Sequence, residues 1–512
     1  MSGRAATDTV IPGRHALSVG NPQTETPEGW SWLPLGELAT MGTGHTPSRS
    51  VSAYWNGDVQ WMGIRDARAH HGGEIWNTAQ TITQAGLDNS SARLLPAGTV
   101  ALSRTASVGY VVQLGREMAT SQDFVTWTCS AALDPLFLMR TIQAEGDDIR
   151  NFGEGSTHTT IYFPELKALH VRTPPVLEQR RIVAKIDRLS ARSKRAREEL
   201  EGVRALVSRY REAVLDAAFR GDLTAVWRSH NDSKAPSGLE VQRLRRDAVT
   251  QRNSDLGRNR QYKDSVAPEW MPEFALPTEW RWASVDSVTT LIQYGTSAKT
   301  GSSPDGVPVI RMGNIQGGVL DRSDLRYLPH EHDEFPTLLL DQGDVLFNRT
   351  NSFELVGKSA VYEGDKPESF ASYLIRLKTV CYEPKLLAYY LNSAIGRQWV
   401  ASVASQQVGQ ANVNGTKLSE LGVPFMCFDE QREIVRRIEH AFAAIDRLAA
   451  QAMSAQKLLD RLDQAVLAKA FRGELVPQDP NDEPASVLLE RIRAERAAAP
   501  APKRGRRPKA LS

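Results

Sequence analysis

Two long stretches of the chain place apolar residues at alternating spacings of four and three positions. The first runs from Glu178 to Arg220 and the second from Glu430 to Arg472. This spacing is the heptad pattern of a coiled coil. Prolines precede both stretches, and Gly221 and Gly473 stand where a left-handed helix cap is expected. The sequence therefore predicts two helices, each about 62 Å long at about 1.5 Å per residue. The predicted seam is Ile182, Ile186, Leu189, Ser193, Ala196, Leu200, Val203, Val207, Tyr210, Val214 and Ala217, and Ile434, Ile438, Ala441, Ile445, Leu448, Ala452, Ala455, Leu459, Leu462, Val466 and Lys469.

The two stretches are copies of each other. Glu178-Gln179-Arg180 recurs as Glu430-Gln431-Arg432, and Ala218-Phe219-Arg220-Gly221 recurs as Ala470-Phe471-Arg472-Gly473, with the same offset at both ends. A long, narrow apolar seam must be buried against another helix, and equal length favours pairing of the two copies. Because the chain leaves along the first helix and returns along the second, we expect an antiparallel pair with a globular unit at each end. A parallel coiled coil between two copies of the chain is the alternative.

The repetition continues into the regions outside the helices. Both regions begin with a Trp-x-Trp pair and contain short apolar strands followed by polar turns. The matching segments are Trp30-Ser31-Trp32 with Trp280-Arg281-Trp282, Val59–Asp66 with Val307–Asn314, and Gly98–Thr105 with Gly343–Thr350. We predict a mixed α+β unit of about 150 residues that occurs twice.

The predicted fold class is α+β, with two pseudo-repeated α/β domains separated by two long helices that form an antiparallel intramolecular coiled coil. The predicted boundaries are a flexible N-terminal arm (1–25), a first domain (26–175), a first long helix (176–222), a linker with a short helix (223–275), a second domain (276–427), a second long helix (428–474), and a C-terminal short helix with a basic tail (475–512).

Composition narrows the class of protein. The 512 residues carry a formal net charge of +2, so a nucleic-acid surface would consist of local patches. Three cysteines without metal-ligand spacing argue for a reducing compartment. No apolar run approaches membrane-spanning length. These features predict a soluble cytoplasmic protein without a membrane partner.

Reactive motifs give no catalytic candidate. Ser352–Ser359 ends like a phosphate-binding loop but lacks its first glycine. The histidines lack companions at metal-ligand spacing, and Asp147 with Asp148 and Glu165 is a combination that occurs by chance in many chains. We therefore predict neither catalytic nor metal-binding residues.

Polar loops at corresponding places in the two domains remain as candidates for DNA contact. Arginine can donate two hydrogen bonds to guanine, and asparagine or glutamine can do the same for adenine in the major groove. Each candidate could equally hold the loop or contact a phosphate. The candidates are Arg104, Thr105, Thr157, His158 and Thr159 for the first domain, and Arg349, Asn351, Gln410, Asn412 and Asn414 for the second.

These motifs resemble the specificity subunit of a type I restriction-modification system over roughly residues 26–475. The resemblance rests on the Trp-x-Trp openings, Thr120–Phe124, the loop from Gly155 to Ile161 with the following Tyr162–Leu166, and the paired helix starts and ends. It implies two target-recognition domains, each reading one half of a bipartite asymmetric sequence in double-stranded DNA. It also implies that the chain itself is not an enzyme.

The resemblance further implies that the long helices set the spacer and dock two DNA-methyltransferase subunits, and that restriction and translocase subunits join the complex. S-adenosylmethionine, ATP and Mg²⁺ are then expected on these partner subunits and not on this chain. The expected docking residues are Gln179, Arg180, Phe219, Arg220, Gln431, Arg432, Phe471 and Arg472. The competing interpretation is a non-catalytic coiled-coil scaffold with two ligand-binding domains that do not involve DNA.

Overall fold

The two halves of the chain, which repeat in sequence, also repeat in structure. A computed structural model describes residues 10–105, 107–153, 159–231, 233–259, 261–352, 355–407 and 410–498. The chain divides into two units, of which the first contains residues 1–199 and 454–512 and the second contains residues 200–453. The boundary therefore falls inside both long helices, and each unit contains half of each helix.

The first unit combines short strands with helices. Its strands are Ile11–Pro12, Leu17–Val19, Ser31–Pro34, Ala39–Thr43, Trp55–Met62, Glu74–Ile75, Gln80–Ile82, Val100–Ser103, Val111–Leu114, Ala119–Thr120, Phe124–Cys129 and Leu169–Thr173. Its shorter helices are Leu35–Leu38, Ile64–Ala69, Gln84–Asp88, Pro135–Glu145, Phe163–Lys167 and Ala485–Ala498, with 3₁₀ turns at Ser52–Tyr54 and Gly146–Phe152.

The second unit repeats this order with local differences. Its strands are Arg281–Ser284, Thr289–Tyr294, Val307–Ile310, Ile315–Gln316, Val319–Leu320, Arg326–Leu328, Val345–Asn348, Thr350–Asn351, Ser359–Val361, Ser369–Phe370, Leu374–Thr379, Ser405–Gln407, Gln410–Asn412 and Gly422–Phe425. Its shorter helices are Ala225–Ser229, Gly238–Asp255, Pro384–Asn392, Ala394–Val403 and Gly415–Ser419, with a 3₁₀ turn at Met312–Asn314.

The central sheet has the same strand order in both units. In the first unit the order is Ala39–Thr43, Phe124–Cys129, Val100–Ser103 and Val111–Leu114, followed by Glu74–Ile75. In the second unit Thr289–Tyr294, Leu374–Thr379, Val345–Asn348 and Ser359–Val361 follow one another in the same way. Phe124 faces Ser103 and Leu374 faces Asn348 across antiparallel pairs. Arg104 and Arg349, which follow the strands Val100–Ser103 and Val345–Asn348, therefore lie beside the turns that precede Phe124 and Leu374.

A helix covers one face of each central sheet and forms the core with it. In the first unit Phe137 and Leu138 of the helix Pro135–Glu145 are buried with Val100 and Leu102. In the second unit the helix Pro384–Asn392 is buried in the same way. Fully burying an apolar side chain of this size contributes about 2 kcal/mol. The predicted mixed α+β architecture is confirmed.

The two long helices are Val176–Arg220 and Phe428–Phe471, and they run antiparallel. In the first unit Ser193 Oγ donates to Asp463 Oδ1 at 2.7 Å, and Arg197 contacts Asp460 and Asp463. Gly221 and Gly473 follow the helices with φ of +84° and +79°, the left-handed conformation that glycine adopts without strain.

The second unit pairs its own halves of these helices in the same direction. Arg211 forms an ion pair with Asp446, and its guanidinium lies 5.0 Å from the ring centre of Phe442. Further along, Arg437 Nη1 donates to the Leu223 carbonyl at 2.7 Å. Residue numbers therefore increase along one helix in the direction in which they decrease along the other. The predicted antiparallel intramolecular pairing is confirmed.

The predicted apolar seam is wrong in part. Tyr210, Leu448 and Leu462 were placed on it, yet their side chains are exposed, as is Lys469. A strict heptad drifts by about 20° per repeat relative to a straight helix, so a continuous seam requires sustained supercoiling. Polar pairs such as Ser193 with Asp463 occupy part of the interface, and these apolar side chains face outward.

The predicted flexible arm at residues 1–25 is wrong for the part that the structure describes. Ile11–Pro12 and Leu17–Val19 are strands that pair with each other, and Leu17–Val19 also pairs with Leu169–Thr173. The buried Glu145 carboxylate accepts hydrogen bonds from the backbone N–H groups of residues 14–17. Four backbone donors on one carboxylate fix this segment to the first domain.

A short helix follows each long helix, as predicted. Gly238–Asp255 buries Val241 and Arg245 in the second unit, and Arg245 Nε donates to the Asp286 carbonyl at 2.8 Å. Ala485–Ala498 buries Leu489 in the first unit. The 223–275 segment therefore belongs to the second unit and is more than a linker. Among the described residues, no helix is long and apolar enough to cross a membrane.

Candidate nucleic-acid interface

Arg104 stands at the end of a central strand in the first domain. Its N–H donates to the Asp123 carbonyl at 2.8 Å, and its carbonyl accepts from the N–H of Ile161 at 3.0 Å. The guanidinium carbon lies 4.5 Å from the ring centre of Phe163, and Nη2 donates to the Gln122 carbonyl at 3.4 Å. Burial lowers the pKa of Arg104, and the nearby Asp123 carboxylate partly offsets this. The guanidinium is thus held by its own domain.

Arg349 has the same backbone contacts in the second domain. Its N–H donates to the Tyr373 carbonyl at 3.0 Å, and its carbonyl accepts from the N–H of Val413 at 2.9 Å. The guanidinium carbon lies 4.9 Å from the ring centre of Tyr294, and Nη1 lies 3.5 Å from the Ser372 carbonyl. The backbone position of the arginine is therefore repeated, whereas the ring beside it belongs to a helix in the first domain and to a strand in the second.

This equivalence changes the interpretation of both arginines. Domains that read different bases need different base contacts, whereas a shared role needs the same surroundings. Each arginine joins the turn before one strand to the loop before a short helix, through hydrogen bonds of the same kind. Arg104 and Arg349 are therefore placed to hold these loops, and a guanidinium at this position is equally available to a DNA phosphate.

The other candidates of the first domain lie close to Arg104 where they are described. Thr105 Oγ1 donates to Asp123 Oδ1 at 3.0 Å, while Asp123 Oδ2 accepts from Ser121 Oγ at 2.8 Å. Thr159 is half-buried just before the short helix Phe163–Lys167. Thr157 and His158 lie outside the described residues. The structure thus brings Arg104, Thr105 and Thr159 to one end of the central sheet.

The second domain brings Arg349 and Asn412 into direct contact. Asn412 Oδ1 accepts from Arg349 Nη2 at 3.0 Å and from Thr350 Oγ1 at 3.1 Å. Asn351 and Gln410 lie on the two strands that Thr350 and Asn412 join, since these strands pair antiparallel. Asn351, Gln410 and Asn412 therefore belong to one small sheet, and Arg349 immediately precedes its strand Thr350–Asn351.

Asn414 caps the start of a short helix. It precedes the helix Gly415–Ser419, and its side-chain oxygen accepts from the N–H of Lys417 at 2.8 Å. Asparagine is among the preferred residues for capping a helix start, because its side chain satisfies an N–H group that has no partner within the helix. The capping bond accounts for this residue without a contact to DNA.

A cleft of about 640 Å³ in the first domain contains polar residues that the sequence analysis missed. Arg49, Arg65 and Gln122 line it, together with the ring of Trp61. The sequence signal that could have revealed this cleft is the pair Trp55 and Trp61, with Arg49 a few positions earlier in the chain. Contacts between distant parts of the chain create this cleft, so spacing alone could not reveal it.

The residues proposed for partner docking divide into two kinds. Gln179 and Gln431 are buried, and each side chain bonds three backbone groups of its own domain. Phe219 and Phe471 are buried in the cores of the second and first unit, respectively. These four residues hold helix and domain together and do not form an exposed surface, which corrects the sequence-based assignment.

The four arginines of the same motifs are exposed. Arg180 and Arg432 have side chains that are 66% and 73% accessible, with distant partners at Asp134 and Asp429. Arg220 pairs with Asp216, and Arg472 with Glu474. Exposed ion pairs of this kind contribute little to stability. These arginines remain available to another protein, and their role in docking stays a prediction.

Several large apolar side chains of the long helices are also exposed. In the second unit they are Leu206, Tyr210, Leu448 and Met453, and in the first unit they are Leu177, Leu458 and Leu462. Contiguous exposed apolar surface often marks a site of protein contact. The described residues contain no group of three or more His, Cys, Asp or Glu side chains that could hold a metal ion.

Comparison with known proteins shows which proteins this chain resembles. Residues 27–202 match the family model of the type I restriction modification DNA specificity domain. The specificity subunit of the type I restriction enzyme EcoKI from Escherichia coli strain K12 is 24% identical over 500 residues, which cover 94% of this chain and 98% of the relative. Over nearly its whole length the chain is therefore similar to the specificity subunits of type I restriction enzymes.

Two further comparisons point to the same group of proteins. The EcoBI specificity subunit of Escherichia coli is 28% identical over 345 residues, covering 65% of this chain and 66% of the relative. A solved chain from work on the assembly and conformational transition of a type I restriction-modification system superimposes with a TM-score of 0.59. The two share 19% identity, and the match covers 88% of this chain and 100% of the solved chain, so this likeness concerns the fold alone.

Proposed function

We propose that this specificity subunit directs a type I restriction-modification complex to a bipartite, asymmetric sequence in double-stranded DNA. The observation that carries the proposal is the match of the first domain to a DNA specificity domain, combined with the recurrence of the same central sheet in the second domain. If the first domain reads DNA, a second domain with the same construction and different loops reads a second, different half of the target.

Loops at the end of each central sheet supply the contacts in this proposal. In the first domain they include Arg104, Thr105 and Thr159, and in the second domain Arg349 and Asn412. The scaffold around the two arginines is the same, whereas the residues beside them differ. Different neighbours on the same scaffold allow two half-sites of unlike sequence, because specificity comes from contacts to base edges.

The long helices serve two purposes in the proposal. As a rigid antiparallel pair they set the number of base pairs between the half-sites, because a helix fixes length at about 1.5 Å per residue. Their exposed apolar residues and arginines dock two DNA-methyltransferase subunits. The duplication of helix starts and ends offers two similar surfaces, which suits two identical partners.

Catalysis belongs to the partners on this proposal, and the specificity subunit contributes none. Methyltransferase subunits bring S-adenosylmethionine, and restriction and translocase subunits bring ATP and Mg²⁺. The complex works in the cytoplasm, together with the DNA that it modifies.

Mapping methylated adenines tests the proposal. The chain is expressed with the methyltransferase encoded beside it in a host that lacks other adenine methylation, and long-read sequencing locates the modified bases. We expect a single motif with two defined halves and an unspecified spacer. Exchanging residues 276–427 for the same segment of another specificity subunit supplies the control, since it should change one half only. Methylation without any motif, or a motif whose two halves both change, would contradict the proposal.

A further inference from the structure

The cleft of the first domain is organised around Arg49. The indole N–H of Trp55 donates to the Ser48 carbonyl at 3.1 Å, and the indole N–H of Trp61 donates to the His45 carbonyl at 3.0 Å. These bonds fix the loop that carries Arg49. Its guanidinium carbon lies 5.0 Å and 5.8 Å from the ring centres of the two tryptophans. Stacking on aromatic rings leaves the edge of a guanidinium free to donate hydrogen bonds.

The other polar groups of the cleft also present donors. Gln122 Oε1 accepts from Thr46 Oγ1 at 2.5 Å, so the amide nitrogen of Gln122 keeps its two hydrogens for another partner. Arg65 is exposed and forms no hydrogen bond or ion pair with any residue that the structure describes. Two arginines and an amide thus offer N–H groups to one recess.

The two carboxylates at this cleft are already engaged. Asp66 accepts from the backbone N–H groups of Gly63 and Ala79 at 2.9 Å and 2.8 Å. Asp123 accepts from the hydroxyl groups of Thr105 and Ser121. Neither carboxylate forms an ion pair with Arg49 or Arg65, so both guanidinium groups keep their donors for another partner. Asp66 and Asp123 balance the formal charge of the two arginines, and the cleft is therefore rich in donors without a net positive charge.

Two cations near the turn and cleft of the second domain are paired with carboxylates. Arg311 occupies the turn equivalent to Gly63, since Asn314 Oδ1 accepts from the Arg311 N–H as Asp66 accepts from Gly63. Arg311 Nη2 donates to Asp324 Oδ2 at 2.8 Å. A cleft of about 350 Å³ in that domain contains Lys385, whose ammonium lies within 2.9 Å of two glutamates. Arg311 and Lys385 therefore differ from Arg49 and Arg65, which form no ion pair among the residues that the structure describes.

We infer that this cleft binds a phosphodiester group of the DNA backbone beside the first half-site. The inference rests on the proposed function. A recess suits a group that projects from the duplex, whereas base edges lie inside a groove and are reached by projecting side chains. Donors without acceptors match phosphate oxygens. The contact positions the duplex on the first domain without reading sequence.

The test uses the full-length chain and a pool of labelled duplexes of about 40 base pairs with random sequence. Binding is measured between 50 and 200 mM salt, and the bound fraction is sequenced. The variants are Arg49→Ala and Arg65→Gln. Arg116→Ala is the matched control, because Arg116 is an exposed arginine of the same domain that does not line the cleft. Arg65→Gln also guards against misfolding, since Arg65 holds no part of the fold.

We expect each cleft variant to recover the motif of the unaltered chain with reduced affinity for every sequence. The slope of log K against log salt should become shallower by about 0.9 per lost phosphate contact. Between 50 and 200 mM salt the affinity of the variant should therefore drop by a factor that is about threefold smaller than the drop for the unaltered chain. Arg116→Ala should keep both affinity and slope. An unchanged slope in both cleft variants would overturn the inference, and so would altered bases in the first half-site.

The proposed function is judged separately, on the unaltered chain. If that chain enriches no motif while the cleft variants still lower the salt slope, the proposed function fails and the phosphate site stands. If the unaltered chain enriches a motif and the cleft variants behave like the control, the inference alone fails. If the unaltered chain binds no duplex at all, both the proposed function and the inference of a phosphate site fail.

Discussion

Gln431→Ala provides a sharp test of how the second domain is joined to its long helix. The amide of Gln431 is fully buried, accepts from the Glu383 N–H at 2.7 Å, and donates to the carbonyls of Met426 and Cys381 at 3.1 Å and 3.3 Å. Each hydrogen bond contributes about 1 kcal/mol, and alanine leaves three buried backbone groups without a partner. We expect the second domain to lose about 3 kcal/mol of stability.

Hydrogen exchange of the backbone measures this loss locally, which suits a chain with two units whose unfolding need not be a single transition. At 1.4 kcal/mol per tenfold change, amides from Leu421 to Ile438 should exchange about 100-fold faster in the variant. Peptides from the first unit should exchange as before, because the three lost bonds all lie in the second unit.

Arg432→Ala is the matched control, one residue along the same helix. Its side chain is 73% accessible, and the nearest acid, Asp429, is 4.0 Å away. We expect a change below about 0.5 kcal/mol in the same assay. Exchange of Gln431→Ala within twofold of the unaltered chain would refute the assignment of this glutamine as a structural joint, and so would equal effects of the two variants.

The remaining predictions use the same repeated features. Arg349→Ala should weaken DNA binding uniformly over a random duplex pool, because Arg349 holds two loops and is available to a phosphate; a preference relaxed only at the second half-site, by about 1 to 3 kcal/mol, would instead indicate a bidentate contact to a base. Inserting four residues at Ser193 should rephase the helix pair and shift or abolish the preferred spacer, and an unchanged spacer in methylation mapping would count against the helices as its determinant. Burial raises the pKa of Glu178, so stability from its protonated form is present at low pH and is lost as the pH rises. Glu178→Gln should therefore stabilise the first unit at pH 7, with the difference disappearing below about pH 4, as followed by urea unfolding at several pH values. Glu430→Gln should have the opposite sign at pH 7, with a loss of about 2 kcal/mol, because Glu430 bonds the mostly buried Arg228 at 2.9 Å.

The Glu-Gln-Arg motif illustrates why a repeated motif identifies a family more readily than it assigns a role. The indole N–H of Trp30 donates to Glu178 and that of Trp280 to Glu430, so the Trp-x-Trp openings and the helix starts form a single joint in each unit. The sequence shows that these residues recur together. It does not show that Trp, Glu and Gln face the domain while the neighbouring arginine faces solvent.

The N-terminal segment illustrates a second difference. Its Gly, Thr and Pro content predicted a loose arm, because such compositions favour the unfolded chain. Glu145, about 130 positions further along, supplies the acceptor for its backbone N–H groups, and Leu169–Thr173 supplies the neighbouring strand. The composition of a segment gives no information about partners that lie so far away in the sequence.

By itself, the sequence determined the duplication, the two long helices with their glycine caps, the mixed α+β class of both domains and the resemblance to type I specificity subunits. These properties rest on periodicity and on local backbone preferences, which nearby residues carry. The tertiary structure decided which side chains of the helices are buried, which arginines are held by their own domain, and that Arg49, Arg65 and Gln122 meet in one cleft. Such decisions depend on strand pairing and side-chain contacts between residues far apart in the chain, and a one-dimensional pattern contains no record of them.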